Sequence, residues 1–471
     1  MHRQLEDDYR ERMEAFVSDL RGTTMLEVLL VSAPIPMGLS LLAEAKELLA
    51  GREEALPVLG LSNFMLETVT VLLPAVASMV WPSLNITLIL AMAITCFCFR
   101  LHRFRSTASC SEQTQHVDGR QGMLDSVTNI RASIMLMTCI TILAVDFQVF
   151  PRRFAKTEVY GTGLMDLGVG ATIFASGLAS GCKTKKQSGH SRLGAWCTLA
   201  AEMSSAAIRA WPLAALGVSR LVVIKGLGYQ EHVSEYGVHW NFFATLFVMR
   251  LVVVPINRLG TARVKCSFAL AALCIYQWLL VKAGGSDFIV HSPRDTLFTM
   301  NREGIFGLVG FVAIYYVAEE LGTGIKAQHQ KLNKVYTPRF LSSSVALLTS
   351  ASMFLWGLTL LSDTYIQQTS RRMVNLTYVL WVCAHSTVML LFLMGVDSLS
   401  LKRPTSQILA AINLNMFPVF IAANLATGAV NISMRTLDAG TPAAIAILAF
   451  YVMFVAGFAT ALSNFGFVIK L

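Results

Sequence analysis

The stretch Cys139–Ala171, CITILAVDFQVFPRRFAKTEVYGTGLMDLGVGA, decides how the chain is read. An apolar run carries Asp146 near its end and breaks at Pro151. Arg152, Arg153, Lys156 and Glu158 follow, and a second apolar run starts around Asp166. Two apolar runs of spanning length joined by a short polar break read as two membrane helices and their loop. A carboxylate in or beside such a run is costly in lipid, so each acid marks a functional-site hypothesis.

Outward from this stretch the same pattern recurs to both ends. The chain of 471 residues is 54% hydrophobic and only 14% charged, with a mean hydropathy of +0.57; soluble domains carry about a quarter charged residues. The expected fold class is an all-α polytopic membrane protein with about thirteen transmembrane helices in one bundle. The spans fall at 25–43, 61–80, 84–99, 132–150, 162–181, 206–225, 240–257, 266–283, 304–321, 341–361, 376–396, 406–427 and 443–466. Residues 1–24 form a polar tail, expected to be lumenal, and 25–471 a multi-span membrane domain. The start, MHRQLEDDYRERMEAF, is acidic and lacks the apolar core of a cleavable signal peptide. AEAKELLAGREEAL, residues 43–56, reads as a short amphipathic helix on the membrane surface.

The net charge of +9 reflects topology and not a nucleic-acid partner. Assigned to alternate loops, 21 Lys and Arg fall on one side and 8 on the other, with 4 more in the tail. The positive-inside rule then puts the C-terminus in the cytosol and the N-terminus in a lumen. The nine cysteines show no metal-knuckle spacing. There is no phosphate-cradling Gly-rich loop, dinucleotide fingerprint or Gly-x-Ser-x-Gly elbow. HSPRD at 291–295 is one residue short of a His-x4-Asp acyltransferase motif, and no inverted repeat stands out.

The orientation puts PRRFAK on the non-cytosolic side, where its three cations run against the bias. Two readings stand: a stop cluster outvoted by the other loops, or an anion site built from arginine forks and a lysine. Asp146 and Lys156 likewise suit either a general base with an oxyanion partner, or a loop-pinning salt bridge shared with Asp166. A charged constriction in a transporter fits equally. His232, Glu235 and His239 share another non-cytosolic loop and offer an acid–base or head-group surface, while Tyr236 and Trp240 fit an aromatic belt. Arg209, Arg220, Arg250 and Lys282 either snorkel or line a polar cavity. Asn413, Asn415, Asn424 and Asn431 are expected to face the bundle interior. Asn375 and Asn431 head glycosylation sequons crowded against the membrane.

At this point several blocks resemble one family. ILAVDFQVFPRRFAKTEVYGTGLMDLGVG is the most specific, supported in order by SRLVVIKGLGYQEHVSEYGVHWNFF, NREGIFGLVG, SRRMVNLTYVLWV and FIAANLATGAVNISMRTLDAG. Over almost its full length the chain resembles the inositol acyltransferases of glycosylphosphatidylinositol (GPI) anchor biosynthesis, the PIG-W type, known in fungi as GPI-anchored wall transfer proteins. The resemblance implies a multi-pass endoplasmic reticulum protein with thirteen spans. It implies transfer of a fatty acyl chain, usually palmitoyl, from acyl-CoA as co-substrate to the inositol of glucosaminyl-phosphatidylinositol, with no bound cofactor. Carried over, the essential acid and lysine are Asp146 and Lys156: Asp146 activates the inositol hydroxyl, and Lys156 orients it or stabilises the developing charge. Arg152 and Arg153 are candidates for the lipid phosphate, His239 for the outer rim, and Asp166 for a polar partner of the substrate site. Lys183, Lys185, Lys186, Lys326 and Lys331 would attract the phosphates of CoA. A lipid or polar-solute transporter and a non-catalytic partner in an anchor-assembly complex remain as alternatives.

Overall fold

The structure is a computed structural model, described over residues 9, 11–13, 15, 16, 18, 20–50, 59–106, 119–183, 195–227, 235–331, 338–399 and 406–469. Among the described residues it is helical throughout, apart from one isolated antiparallel bridge between Thr23 and Thr162. The first span is two helices in line, α1 (Met25–Ser32) and α2 (Pro34–Ala50), broken where Pro34 and Pro36 withdraw N–H donors. α3 (Leu59–Glu67) passes through a π turn, Thr68–Leu72, into α4 (Leu73–Val80). Pro74 explains that turn, since the residue four before a proline loses its usual donor. The widened turn pushes the Thr70 carbonyl towards Gly38 of α2, where a Cβ would sit 2.2 Å from it.

The remaining helices are α5 (Asn85–Ser106), α6 (Gly119–Ala144), α7 (Leu167–Cys182), α8 (Ala195–Leu227), α9 (Phe242–Ile256), α10 (Ala262–Lys282), α11 (Gly285–His291), α12 (Arg302–Lys331), α13 (Pro338–Tyr365), α14 (Leu376–Leu399), α15 (Gln407–Leu414), α16 (Met416–Ser433) and α17 (Thr441–Asn464). α14 runs through the middle of the bundle, with 83% of its most apolar stretch buried against 17% for α5 or α16 on the rim. α7 and α12 make the closest helix pair. A Cβ on Gly177 would lie 2.1 Å from the Tyr315 carbonyl and one on Gly181 2.2 Å from that of Glu319, the small-x-x-x-small contact that lets backbones touch inside a bilayer.

Among the described residues, twelve helices are long and apolar enough to cross a membrane. The thirteenth expected span, 206–225, lies in α8, whose apolar surface is interrupted by Glu202, Arg209, Pro212 and Arg220. Its contacts nevertheless carry it from end to end. Near its start Glu202 and Thr198 bind Arg258 beyond the end of α9, at 3.2 and 2.9 Å. Near its finish the Gly217 carbonyl accepts from Asn241 at the beginning of α9, at 2.9 Å. Ile208, Trp211, Val218 and Val222 point outward along it, all more than 60% exposed. α8 therefore runs antiparallel along α9, but its charges keep it out of the twelve helices apolar enough to span.

The surface helix expected at 43–56 is not separate where it is described: residues 43–50 are the last two turns of α2. Glu44 and Lys46 are tolerated there because Arg100 and Glu67 meet them at 2.5 and 3.0 Å. Glu67 also accepts from the Ser406 hydroxyl and the Gln407 and Ile408 amides, at 2.7 to 2.9 Å, so one carboxylate caps α15 and ties three spans at that end. The polar stretch 101–130, expected as a mobile cytosolic loop, is helical at both ends, 101–106 finishing α5 and 119–130 beginning α6; residues 107–118, the similar loop expected at 184–192 and His232 lie outside the described residues.

Candidate functional site

The bundle end that carries the N-terminal tail gathers six loops. The tail joins the loop after α6 through the Thr23–Thr162 bridge and the loop after α16 through Arg12 and Asp438, 2.7 Å apart. Loops 157–161 and 369–370 are stitched by the Gly161 amide to the Thr369 carbonyl at 2.9 Å and the Ser370 hydroxyl to Val159 at 2.5 Å. Gly161 has φ +119°, and a Cβ there would fall 2.2 Å from the Arg21 carbonyl, so only glycine closes this junction.

Between α6 and α7 the chain is anchored by Phe147, Phe150 and Phe154, all fully buried. Phe150 and Phe154 pack edge to face, 5.9 Å between centroids. With those three rings inward, the polar residues between them turn to the rim. Asp146 accepts from the Asn431 amide at 2.9 Å, while its other oxygen takes no hydrogen bond among the described residues. Burial pushes its carboxyl up to about 6, against the opposing pull of Asn431 and Arg152. Arg152 donates to the Val145 carbonyl at 2.8 Å and lies 3.8 Å over the Phe16 ring; burial draws it down to about 10. Arg153 grips Glu27 with a two-pronged contact of 2.8 to 3.2 Å.

Lys156 faces a different partner. Its ammonium is 2.7 Å from both oxygens of Glu235. Burial disfavours charge on Glu235, but Lys156 and Arg371 outweigh it and hold the carboxyl down to about 2. Arg371 lies 3.8 Å from Glu235 and donates to Asp166 at 2.7 Å. Asp166 is fully buried and also accepts from the Gly163 amide at 2.8 Å and the Thr157 hydroxyl at 3.0 Å. Its oxygens are thus engaged by the chain, and it works as a clamp across the loop it closes. A second ionic knot adjoins: Glu303 receives Arg294 at 2.5 Å and Arg372 at 3.0 Å. Glu235, Tyr236, Glu303, Arg371 and Arg372 line a small pocket between the two knots.

Among the expected site residues, Lys156 and Asp166 therefore share one network through Glu235 and Arg371, whereas Asp146 sits with Arg152 and Asn431 and is not bonded to Lys156. Arg153 belongs to the tail junction. His239 lies on the neighbouring loop, its amide donating to Asn301 at 2.8 Å and its buried Nδ1 without a partner. Trp240 is a packing residue more than a belt residue: its indole donates to Thr245 at 2.9 Å, and its ring fills the space that a side chain on Gly304 would need. Both sequon asparagines are occupied internally, Asn431 by Asp146 and Asn375 by Gln367 and the backbone of 368, 370 and 378. Asn424 is exposed and bonds its own helix at Phe420, unlike the buried Asn415. Arg209, Arg220, Arg250 and Lys282 are all exposed, and Arg220 lies close enough to Glu235 and Tyr236 to act on both.

Arg371, Arg372 and Glu303 were not among the expected site residues. Their signal was present as two adjacent arginines directly before Asn375 and an acid at the start of an apolar run, but the charge count had absorbed them into topology. Among the described residues no group of three or more His, Cys, Asp or Glu side chains is placed to hold a metal ion.

Comparison with known proteins places this architecture. The family described as GWT1 matches residues 9–462. The chain is 35% identical to "GPI-anchored wall transfer protein 1" of Eremothecium gossypii, over 98% of this chain and 99% of that protein. It is 32% identical to the protein of the same name from Gibberella zeae, over 98% and 99%. It is 30% identical to "Phosphatidylinositol-glycan biosynthesis class W protein" of Dictyostelium discoideum, over 95% and 96%.

Proposed function

The chain belongs to the GWT1 family, and on that premise we propose that it is the acyltransferase that moves a fatty acyl chain, palmitoyl, from acyl-CoA to an inositol hydroxyl of glucosaminyl-phosphatidylinositol in GPI-anchor biosynthesis. It acts as a multi-pass protein of the endoplasmic reticulum membrane, with residues 1–24 and the tail-side loops lumenal, and the C-terminus cytosolic beside the lysine- and arginine-rich loops.

Asp146 is the base and Lys156 the electrostatic partner. The inositol O–H gives its proton to Asp146 as its oxygen attacks the thioester carbonyl. The ammonium of Lys156 supports the negative charge that gathers on the carbonyl oxygen. Collapse of that intermediate breaks the C–S bond, and the proton held by Asp146 returns to the departing thiolate. Asp146 and Lys156 share the loop between α6 and α7 but are bonded to different partners, Asn431 and Glu235, so the acceptor must bridge them.

The observation that carries this reading is the state of Asp146. It is a mostly buried carboxylate, raised to about 6, with a neutral amide on one oxygen and the other oxygen uncommitted among the described residues. At neutral pH it is ionised and basic enough to take a proton, which is the tuning a general base requires.

The experiment is product analysis of purified protein supplied with glucosaminyl-phosphatidylinositol and palmitoyl-CoA. Acyl-inositol product is expected from the wild type and is lost in Asp146→Asn and Lys156→Ala variants that remain folded. Full activity in both variants would refute the assigned roles, and absence of product from the wild type would refute the activity.

A further inference from the structure

We propose that the pocket bounded by Tyr236, Arg371 and Arg372 is the subsite for the phosphodiester of the lipid acceptor, a conclusion that rests on the reading of the reaction given above. Of the phosphate ligands expected from sequence, Arg153 is committed to Glu27, while Arg152 is turned to Val145 and Phe16 with its Nε left buried without an acceptor. A second arginine with a buried, unmatched Nε, Arg372, lies across the loop junction in a pocket that Tyr236 and Arg371 also line.

Counting donors against acceptors defines what the pocket takes. Its two carboxylates are already engaged: Glu235 by Lys156 and Arg371, Glu303 by Arg294 and Arg372. On the donor side, Nε of Arg372 is buried without an acceptor, and the Arg372 side chain is only 10% exposed. Tyr236 also lines the pocket, and its hydroxyl makes no hydrogen bond among the described residues. A buried donor left unmade is costly, so its missing partner is an acceptor supplied from outside. Charge points the same way. Lys156, Arg294, Arg302, Arg371 and Arg372 surround Asp166, Glu235 and Glu303, and Arg220 also acts on Glu235, so cations outnumber carboxylates. A lining with excess positive charge suits an anion, and arginine's planar fork suits two phosphate oxygens at once.

The position suits the chemistry. Glu235 both lines the pocket and holds Lys156, so a phosphate bound there lies one carboxylate away from the ammonium that serves the acyl transfer. The pocket is small in this structure. It takes the anionic oxygens, and the inositol and glucosamine rings extend from its mouth across the loops towards Asp146. The same phosphate chemistry could be offered by the acyl donor, since CoA carries phosphates of its own, and the test separates the two.

Binding of glucosaminyl-phosphatidylinositol and of palmitoyl-CoA is measured separately on the purified full chain in lipid nanodiscs, for wild type, Tyr236→Phe and Arg372→Gln. Tyr236→Phe removes a hydroxyl that makes no hydrogen bond among the described residues, so folding is not at stake. Each substitution is expected to weaken lipid binding by about tenfold, the loss of one hydrogen bond to a charged group, and to leave palmitoyl-CoA binding unchanged. Weakened palmitoyl-CoA binding with intact lipid binding would give the pocket to CoA and overturn the proposal, as would no change in either. Because no turnover is needed, the outcome separates from the activity itself: variants that lose lipid binding as expected, beside a wild type that binds the lipid but makes no acyl-inositol, would refute the reaction and uphold the pocket.

Discussion

The tuning of Asp146 makes a quantitative prediction about pH. With its carboxyl at about 6, the fraction ionised is about nine-tenths at pH 7 and about one-tenth at pH 5, so kcat/KM should fall about tenfold between them on a limb centred near pH 6. Asn431 donates the hydrogen bond that favours the ionised form. Asn431→Leu removes it, and a hydrogen bond to a charged group corresponds to about one unit of pKa, so the limb should move up by about one pH unit. The fold should survive the same change of pH. Asp146 is raised in the folded state, so its proton stabilises the fold below the ordinary carboxylate range, and that contribution is lost as pH rises through about 6. Glu235 is depressed to about 2; its contribution is present above the ordinary carboxylate range and is lost only as pH falls towards 2. Activity should therefore fall about tenfold between pH 7 and pH 5 while the thermal transition of the purified protein holds. The assay is initial-rate acyl transfer across pH, with Ser433→Ala as the control that abolishes the sequon and keeps the amide. A limb near pH 4, or one that Asn431→Leu leaves in place, would refute the assignment.

Two further outcomes test the frame around the site. Asp166→Asn leaves Arg371 buried with its nearest carboxylate gone, since Asp166 stands at 2.7 Å and Glu235 at 3.8 Å. A stability loss of about 3–5 kcal/mol is expected, read as a lowered thermal transition in detergent; a wild-type transition would show that the pair is dispensable. The turns at Gly260 and Gly284 both project into open space at opposite ends of α10. A glycan acceptor sequence inserted at 284 should be glycosylated in microsomes and one at 260 should not. Glycosylation at 260 alone would invert the bundle, and glycosylation at both would remove a pass.

The bundle was legible because lipid imposes a strict rule on sequence: backbone groups must be satisfied within each span, so spans announce themselves as long apolar helices. The rule fails where charge is tolerated for tertiary reasons. Residues 43–49 read as a surface helix because Glu44 and Lys46 look unaffordable in a span, yet each has a partner on another helix, Arg100 or Glu67. α8 reads weakly for the opposite reason, its arginines being free to reach outward. The site was half legible. Asp146 and Lys156 stood out from an unusual loop and a family resemblance, but their partners are distant in sequence: Asn431 lies 285 residues from Asp146, and Glu235 lies 79 residues from Lys156. Local spacing carries no information about such pairs. Arg371 and Arg372 stayed hidden because any arginine in a loop already has a topological explanation.

The partners of the carboxylates at the tail-side end separate structure from chemistry. Glu27, Asp166, Glu235, Glu303 and Asp438 each have an arginine or lysine nitrogen within 3.0 Å. On Glu235 the paired cations hold the carboxyl down to about 2, and the same interaction makes it a poor base. Those five pin loops to one another across the mouth of the bundle. Asp146 forms no ion pair; its bonded neighbour is an amide, which orients the carboxylate without supplying a full positive charge. Arg152 is close enough to be felt, but its guanidinium is turned to the Val145 carbonyl and the Phe16 ring. Replacing Asn431 with a lysine would convert Asp146 into a sixth pinned carboxylate, lowering its pKa and its basicity together. Asp363 at the same end also forms no ion pair among the described residues, accepting from the Thr369 amide and hydroxyl; what sets Asp146 apart is the burial that pushes its carboxyl up to about 6.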